Sequence, residues 1–252
     1  MYKDFLRRIE RKVKALILAA GLGTRLAPLT NDRPKSMVPV NGKPIILKQI
    51  ENLKENGITD ITIISGYKAD VLEKAVHKDH PDIRIIESTD YMNTNNMYSA
   101  YLGLKNMFEG DFAPFLMMNA DVFYDPSVIR ALLDQKDGNA IVVDIGRYME
   151  ESMKVIEENG RLTAISKKIG EKEALGCSID VYKFDMDGGR AFFECCRNYI
   201  ENKNELKLWS EVALNDALSK TSFKACPLEG RWLEIDNHED LKEAEKLFKE
   251  ER

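Results

Sequence analysis

The clearest candidate for chemistry is a glycine-containing loop that directly follows an apolar run. It reads Leu18-Ala-Ala-Gly21-Leu-Gly23-Thr24-Arg25, and Arg33-Pro34-Lys35 follows at short range. Glycines after a buried strand let backbone N–H groups approach a polyphosphate closely, and Arg25 and Lys35 add fixed positive charge. Leu26 stands where a dinucleotide-binding fingerprint has its third glycine, and the Gly-Lys-Ser/Thr of a Walker loop is absent. The segment therefore predicts a phosphate-binding loop of another class; the alternative is a plain turn with basic surface residues.

Two aspartates each follow a predicted strand. Asp121 ends the run Met118-Asn119-Ala120-Asp121, and Asp236 follows Trp232-Leu-Glu234-Ile235. Ligands of open α/β sheets bind at the carboxyl ends of strands, and Mg²⁺ in proteins usually takes one or two carboxylates together with phosphate oxygens and water. Asp121 is therefore a candidate magnesium ligand, and a turn or helix cap is the alternative for either aspartate. Glu234 is either a further site residue or only a strand residue.

A third segment is rich in amides and hydroxyls, Tyr91-Met-Asn-Thr94-Asn95-Asn96-Met-Tyr98-Ser99. Such side chains at a helix start can bind a base and a ribose, although they more commonly form a loop and a helix cap. Through its buried strand, its Gly21-Leu-Gly23-Thr24-Arg25 loop and Pro34-Lys35, the chain resembles the nucleotidyltransferases that join an NTP to a phosphorylated small molecule and release pyrophosphate. It is most similar to the phosphocholine cytidylyltransferases of bacterial surface decoration, which carry a Tyr…Asn-Asn-x-Tyr-Ser segment here. Thymidylyl and uridylyl sugar-1-phosphate enzymes usually carry a Gln/Pro/Gly-rich segment instead.

The resemblance runs from about Lys14 to Phe248 and implies attack of an acceptor phosphate or phosphonate on the α-phosphorus of CTP. Because the acceptor is already anionic, catalysis would rest on positioning and charge stabilisation rather than on a general base. Lys35 and Arg25 would be the catalytic cations, with Lys35 between the α-phosphate and the acceptor. Asp121 and Asp236 would hold Mg²⁺, the one cofactor implied. The nucleotide would be bound by the glycine loop, by a Gly66-Tyr67 turn that meets the pyrimidine, and by the amide segment, through Leu18, Ala20, Gly21, Gly23, Thr24, Arg25, Gly66, Tyr67, Asn95, Asn96 and Ser99.

The acceptor side of the predicted site falls in the second half of the chain. The resemblance places Trp209 and Glu211 there, where an indole ring can attract an ammonium group and a carboxylate can pair with it. Residues two apart on a helix point about 200° apart, so both reach one ligand only if Trp209 lies before the helix begins. Lys154 and Lys167 lie in a hairpin beside the acceptor, and either can bind its phosphate. The alternatives are a buried tryptophan, an exposed helical glutamate and two solvated lysines.

Three functions remain open from the sequence alone. The first is CMP transfer from CTP to a phosphorylated small amine or amino acid, with phosphocholine, aminoethylphosphonate and phosphoglutamine as candidate acceptors. The second is a hexose-1-phosphate nucleotidyltransferase, which a preference for GTP, UTP or dTTP would select. The third is a non-catalytic regulatory subunit of the same fold, which the presence of Lys35, Asp121 and Asp236 argues against.

The elements that must position these residues alternate between strands and helices. The pattern predicts an α/β fold with a Rossmann-like, mostly parallel mixed sheet, helices on both faces and a small β-rich insertion beside the acceptor. Strands are predicted over 15–20, 61–65, 83–87, 112–119, 140–145, 175–184, 223–227 and 232–235, and helices over 2–12, 44–56, 68–76, 94–107, 125–133, 189–199 and 209–219, followed by a last helix. Asn159-Gly160 predicts a hairpin between 153–157 and 162–166. Thr94, Asp125 and Asn237 (with Asp240) are the predicted helix caps.

Composition limits the classes of protein to consider. The chain has 252 residues, 44% hydrophobic and 31% charged, with a formal net charge of −5, which is typical of a globular protein without a nucleic-acid-coating surface. No apolar run approaches the about 20 residues that span a bilayer, and residues 1–14 carry no signal-peptide core. We therefore expect a cytoplasmic protein with no membrane partner. We expect a helical extension over 1–13 and a single domain over 14–252, with the number of subunits left open, a homodimer included.

Overall fold

The computed structural model of the protein describes residues 13–108, 113–135 and 138–249, so the helix predicted over 2–12 lies outside the described residues. The strands of the described ranges are β1 (Lys14–Ala19), β2 (Pro39–Val40), β3 (Lys43–Pro44), β4 (Ile61–Ser65), β5 (Arg84–Glu87), β6 (Phe115–Asn119), β7 (Val122–Tyr124), β8 (Asn139–Ile145), β9 (Lys154–Glu158), β10 (Arg161–Ser166), β11 (Gly176–Phe184), β12 (Phe223–Pro227) and β13 (Trp232–Glu234). The α-helices are α1 (Ile45–Glu55), α2 (Ala69–Asp79), α3 (Asn96–Met107), α4 (Ser127–Asp134), α5 (Met186–Arg197), α6 (Ser210–Leu218) and α7 (His238–Leu247).

The centre of the molecule is a large mixed sheet in which β6, β1, β4 and β5 are parallel neighbours. Side chains of β1 alternate between its faces: Leu16 and Leu18 join one hydrophobic cluster, and Ala15, Ile17 and Ala19 join the other. Burial on both faces explains why this strand appears in the sequence as a continuous apolar run. The carboxyl ends of β1, β4 and β6 meet at one edge, where the candidate site residues emerge.

Helices cover both faces of this sheet. α3, α5 and α6 pack on one face, and α1, α2 and α4 pack on the other. A third cluster joins α7 to the residues beneath the glycine loop, among them Leu26, Val38 and Leu233. These layers confirm the predicted fold class. Within the described ranges, no helix combines the length and the apolar character that crossing a bilayer requires.

The second half of the sheet is largely antiparallel and carries the predicted insertion. β11 pairs first with β9, through Gly176 and Cys177, and then with β6, through 181–184. Between these partners its backbone is irregular, and Asp180 has a positive φ of 58°. The β9–β10 hairpin turns at Asn159 and Gly160, which both have positive φ as a type I′ turn requires. The hairpin predicted from Asn-Gly is therefore confirmed.

Two helix caps and one short strand differ from the sequence-based expectations. α3 is capped by Asn95, whose side chain accepts the N–H of Asn96, whereas the Thr94 hydroxyl donates to the carbonyl of Asp90. No side chain caps α4, because the carboxylate of Asp125 is taken by Arg231. The three-residue β7 was not predicted; it pairs antiparallel with β13. The last predicted cap is confirmed, since Asn237 and Asp240 form a capping box.

Candidate active site

The glycine loop folds closely over Lys35. Beyond β1, Gly23 adopts a left-handed backbone with φ 65° and ψ 37°. A Cβ at this position would lie 2.6 Å from the Cβ of Lys35, so another residue would displace the lysine. Thr30 fastens the loop by donating its hydroxyl to the carbonyl of Gly23 at 2.9 Å. The close approach of loop and lysine is thus the physical reason for a glycine here.

Three carboxylates converge beside this loop. Asp121 follows β6, and Glu234 ends β13, where its backbone pairs with Val122. The N–H of Ile235 donates to the carbonyl of Asp121 at 2.9 Å, which joins the two segments. With Asp236, the group is complete: carboxylate oxygens of Asp121, Glu234 and Asp236 all lie within 4.8 Å of one another. The structure thus gathers the two predicted metal ligands and adds Glu234, which the sequence left open.

Two cations face these carboxylates. The ammonium of Lys35 lies 2.9 Å from Oδ2 of Asp121 and 2.5 Å from Oδ1 of Asp236, and Arg25 lies 2.8 Å from Oδ2 of Asp236. Burial disfavours the charge on Lys35, but the two aspartates outweigh it and raise the pKa of the lysine above its ordinary value. Burial also disfavours the charge on Asp236, but Lys35 and Arg25 lower the pKa of that carboxyl. Both groups are therefore charged at neutral pH.

The cluster formed by Asp121, Glu234 and Asp236 fits a magnesium ion. Oδ1 of Asp121 is buried, and no described residue hydrogen-bonds to it. Burial and the neighbouring carboxylates raise the pKa of Glu234 to about 9, because among the described residues no further cation lies beside these acidic side chains to favour its charged form. Carboxylate oxygens are the hard ligands that Mg²⁺ prefers. A divalent cation held here would give the orphaned oxygen of Asp121 a partner and would favour the charged form of Glu234.

A cavity of about 320 Å³ opens beside this group. It is lined by predicted residues from both substrate sides, namely Leu18, Ala20, Gly21, Arg25, Asn95, Asn96, Ser99, Asp121, Lys167, Trp209, Glu211 and Asp236. The predicted residues outside its lining are Gly23, Thr24, Lys35, Gly66, Tyr67 and Lys154. Lys35 reaches the cavity's acidic end through its contacts with two lining aspartates. Substrate contact by these residues, Lys154 excepted, stays a prediction.

The Gly66-Tyr67 turn supports the cavity wall from behind. A Cβ on Gly66 would lie 2.8 Å from the carbonyl oxygen of Ala20, so tight backbone packing requires glycine there. The Tyr67 hydroxyl donates to the carbonyl of Asn31 at 3.2 Å. Its ring meets that of Tyr91 edge-on, with centres 6.3 Å apart, and Tyr91 lines the cavity. The turn therefore positions a wall residue that the sequence analysis had not assigned.

The adjacent asparagines are already bonded within the protein. Asn95 caps α3, as described above, and Oδ1 of Asn96 accepts the N–H of Ser210 at 2.8 Å. The Asn96 amide nitrogen donates to Oδ1 of Asn119 at 3.5 Å. Asn96 thus ties the start of α3 to the start of α6 and to the end of β6. Both asparagines also line the cavity, so a structural role accompanies the nucleotide contact predicted for them.

Lys154 does not serve the acceptor as predicted. Its side chain is fully buried, and its ammonium donates to the backbone carbonyls of Met149, Glu150 and Lys167 at 3.3, 2.7 and 2.6 Å. These three acceptors use the three protons that an ammonium can donate. The acceptor-binding prediction for Lys154 is therefore corrected: the residue fastens the loop before β9 to the end of the hairpin.

Trp209 and Glu211 satisfy the geometric condition set by the sequence analysis. Trp209 has extended backbone angles, φ −72° and ψ 148°, and α6 begins at the next residue. Trp209 thus lies before the helix, and both Trp209 and Glu211 line the cavity. Trp209 is 46% exposed, and the Lys167 ammonium lies 4.9 Å from the centre of its ring. Glu211, in contrast to the alternative of an exposed helical residue, is buried.

The buried end of the cavity contains an acidic pair, Glu211 and Asp180. Glu211 was predicted from the sequence as a site residue, and Asp180 was not. The Tyr182 hydroxyl lies 2.8 Å from Oδ1 of Asp180 and 2.9 Å from Oε1 of Glu211, and its single proton can serve only one of them. Burial, followed by the charge of Glu211, raises the pKa of Asp180 to about 7. Burial also raises the pKa of Glu211. Among the described residues, no lysine or arginine forms an ion pair with either carboxylate.

A sequence signal for Asp180 did exist. It is an acidic residue in the middle of Gly176-Cys-Ser-Ile-Asp180-Val-Tyr182, a strand whose flanking positions are small or apolar. A carboxylate at such a position is buried only with partners, and it therefore marks a candidate site. Glu151, Ser152 and Met153, which also line the cavity, lie in a loop and gave no comparable signal.

Comparison with known proteins agrees with this geometry. A family model described as nucleotidyl transferase matches residues 14–251. The CTP:phosphoglutamine cytidylyltransferase of Campylobacter jejuni is 30% identical, with 91% of this chain and 98% of that protein covered. The choline-phosphate cytidylyltransferase of Streptococcus pneumoniae is 50% identical over 90 residues, which is 36% of this chain and 38% of that protein.

Solved structures of nucleotidyltransferases are also similar to this chain. The CTP:phosphocholine cytidylyltransferase from Streptococcus pneumoniae aligns with a TM-score of 0.76 and 27% identity, covering 94% of this chain and 100% of that one. A putative glucose-1-phosphate thymidylyltransferase from Bacillus anthracis, at 21% identity and a TM-score of 0.75, covers 95% of this chain and 96% of its own and shares the fold. The predicted resemblance is thereby confirmed. Because the family model matches nearly the whole length of this chain, the chain belongs to the nucleotidyl transferase family.

Proposed function

We propose that this enzyme transfers CMP from CTP to a phosphorylated or phosphonate-bearing small amine or amino acid, with release of pyrophosphate and with Mg²⁺ as cofactor. The observation that carries the proposal is the meeting of Lys35, Asp121 and Asp236 beside the glycine loop. This arrangement joins a phosphate-binding loop, a fixed cation and a set of hard oxygen ligands in one place. The Campylobacter and Streptococcus relatives are cytidylyltransferases, which supports cytidine as the base.

The proposed reaction forms one bond and breaks another at the same phosphorus atom. An acceptor oxygen attacks the α-phosphorus of CTP, and the bond from that phosphorus to the pyrophosphate oxygen breaks. The backbone N–H groups of the glycine loop and the Arg25 side chain would hold the triphosphate. Lys35 has two of its three protons directed at Asp121 and Asp236, which leaves a third for a phosphate oxygen. Bound Mg²⁺ would neutralise negative charge on the phosphates.

The acceptor end supports a substrate with a cationic group. Asp180 and Glu211 present two carboxylates that no described lysine or arginine neutralises, and the exposed ring of Trp209 lies at the same cavity. An ammonium group would pair with the carboxylates and be attracted by the aromatic face. Phosphocholine, aminoethylphosphonate and phosphoglutamine each join an amino or ammonium group to a phosphorus-bearing group, and they remain the candidate acceptors. A neutral hexose would bring no positive charge to the acidic pair, which disfavours the sugar-1-phosphate alternative.

The experiment that tests the proposal is a pyrophosphate-release screen. The purified protein is assayed with each of the four common NTPs against phosphocholine, aminoethylphosphonate, phosphoglutamine and glucose 1-phosphate, with and without Mg²⁺. We expect turnover only with CTP, only with Mg²⁺ and only with an amine-bearing acceptor. Preferred use of UTP, GTP or dTTP with glucose 1-phosphate would instead identify a sugar-nucleotide enzyme. No turnover with any pair, although ligands bind, would identify a non-catalytic subunit.

A further inference from the structure

Ala120 and Asp121 form the turn between β6 and β7, and a buried side chain of helix α1 hydrogen-bonds to this turn. Gln49 is fully buried, and its amide nitrogen donates to the carbonyl of Asn119 at 2.9 Å and to the carbonyl of Val122 at 2.8 Å. These carbonyls lie on the two sides of Ala120 and Asp121. Both protons of one amide group therefore bracket the dipeptide from which the Asp121 carboxylate projects.

The chemistry of this contact fixes the orientation of the Gln49 amide. Two carbonyl oxygens can be satisfied only by a donor, so the NH₂ end must face the turn. The other end, Oε1, is consequently buried with no hydrogen-bond partner among the described residues. Such an oxygen costs free energy in the folded state. An apolar side chain of similar size would avoid that cost but would not hold the turn.

The same turn is tied to the rest of the site. The N–H of Ala120 donates to the carbonyl of Leu18 at 3.0 Å, at the end of the strand that leads into the glycine loop. The carbonyl of Asp121 accepts the N–H of Ile235 at 2.9 Å, between Glu234 and Asp236. Gln49 supplies the remaining support, from the helix side. A shift of the turn would therefore move Asp121 relative to the other two carboxylates.

We propose that Gln49 is a positioning residue that sets the place of the Asp121 carboxylate within the metal-binding group. This inference rests on the proposed function, because it assumes that Asp121 holds Mg²⁺. Gln49 touches neither substrate nor metal; it acts through the backbone of residues 119–122. Outer supports of metal ligands typically change metal affinity or activity by about 10- to 100-fold when they are removed.

Helix α1 supplies a matched control one turn further on. Asn52 is also fully buried, its amide nitrogen donates to the carbonyl of Tyr124 at 2.8 Å, and its Oδ1 also lacks a described partner. Its contact lies on β7 beyond the turn, away from the carboxylates. Gln49→Met and Asn52→Leu each remove a buried amide at nearly constant volume. Only the first removes a support of Asp121.

The test measures metal binding directly as well as activity. Mn²⁺ alone, as a substitute for Mg²⁺ detected by electron paramagnetic resonance, is titrated into the full-length wild-type protein, Gln49→Met, Asn52→Leu and Asp121→Ala. The same proteins, except the last, are assayed for the Mg²⁺ concentration that gives half-maximal turnover, and all are compared by thermal unfolding. We expect Gln49→Met to weaken Mn²⁺ binding and to raise the half-saturating Mg²⁺ concentration by about tenfold or more. Asn52→Leu is expected to lower the melting temperature while leaving both metal values within about twofold of wild type.

One contrary outcome is that Asp121→Ala loses Mn²⁺ binding, whereas Gln49→Met has the same Mn²⁺ affinity and half-saturating Mg²⁺ concentration as wild type. That outcome would overturn the role of Gln49 and leave the proposed metal site standing. Mn²⁺ binding that is unchanged in Asp121→Ala would instead overturn the proposed metal site. Gln49→Asn, which keeps the amide but is one methylene too short to reach both carbonyls, is the second variant. If neither Gln49 variant folds, Gln49 is a structural residue of the core and the positioning role is rejected.

Discussion

The ammonium group of Lys167 lies 4.9 Å from the centre of the Trp209 ring, so the aromatic face at the acceptor end already holds a cation from the protein itself. From the sequence, the two side chains are expected at opposite parts of the acceptor, the ring at its ammonium and the lysine at its phosphate. An acceptor ammonium that uses the same face of the ring must displace Lys167. The displaced lysine would then be free to meet the acceptor phosphate.

We expect Trp209→Ala to raise the KM of an amine-bearing acceptor and to leave the KM of CTP nearly unchanged. A cation over an aromatic ring gains about 0.5–2 kcal/mol, which corresponds to an increase of about 2- to 30-fold in acceptor KM. Steady-state kinetics with each substrate varied in turn checks this. Trp209→Phe is the control, since it keeps an aromatic face. An equal loss on both substrates, or full activity of the wild-type protein with an amine-free phosphate, would contradict the prediction.

Asp121→Ala and Asp236→Ala are each expected to abolish turnover while the fold is retained. Each removes a carboxylate that fits the metal, and loss of such a charge-stabilising group costs about 2.7–4 kcal/mol, or about a hundred- to thousandfold in rate. Rates at limiting and saturating Mg²⁺, with circular dichroism to verify folding, test this. A variant that keeps wild-type activity at limiting Mg²⁺ would show that its residue is not a metal ligand.

Lys35→Ala is expected to lower kcat more than it weakens CTP binding. The lysine is held between two aspartates. We expect the charge that it meets during the reaction to develop mainly as the new phosphorus–oxygen bond forms. The measurement is kcat and the CTP KM in the same assay, with Lys43→Ala as an exposed control that pairs with Glu51 away from the site. Normal kcat with a raised CTP KM would place Lys35 on the ground-state triphosphate instead.

The acceptor KM is expected to depend on pH through Asp180. Its pKa is raised to about 7 by burial and by the charges of Glu211 and Asp121, with opposing hydrogen bonds from Tyr182 and Asn119. Below this pH the carboxyl is neutral, and above it the site gains a negative charge. The KM for a cationic acceptor therefore falls as the pH rises through about 7.

Asp180→Asn serves as the control for this pH dependence. Asparagine tolerates the positive φ at this position and carries no charge at any pH. Titration of the acceptor phosphate affects both proteins alike, so the difference between their profiles isolates Asp180. Identical pH profiles for the two proteins would exclude Asp180 from acceptor binding.

Local signals in the sequence were sufficient for much of the fold. The continuous apolar run of β1 and the Asn159-Gly160 turn depend on neighbours in the chain, and both were predicted with nearly correct bounds. Asp121 and Asp236 could be proposed because each follows a strand end and because the chain resembles the nucleotidyltransferases, whose metal-binding aspartates they match. Their proximity to each other required the pairing of β7 with β13, and β7 is too short to give a periodic signal.

The contacts that determine which polar groups face the cavity could not be predicted in this way. Lys154 is removed from the acceptor site by three backbone carbonyls, one of which comes from beyond the hairpin. Asp180 reaches Glu211 through the hydroxyl of Tyr182, and nothing in their spacing indicates that α6 packs there. Such contacts depend on how distant elements pack, which residue types and spacing alone do not specify.

The pairing of β7 with β13 also joins segments that are made early and late in the synthesis of the chain. A chain still emerging from the ribosome can present the glycine loop, Lys35 and Asp121 long before Glu234 and Asp236 have been translated. Without the pairing of β13 with β7, the three carboxylates do not meet, and Lys35 lacks one of its two aspartate partners. If these carboxylates are needed for turnover, as proposed, we expect a chain that lacks β13 to be inactive.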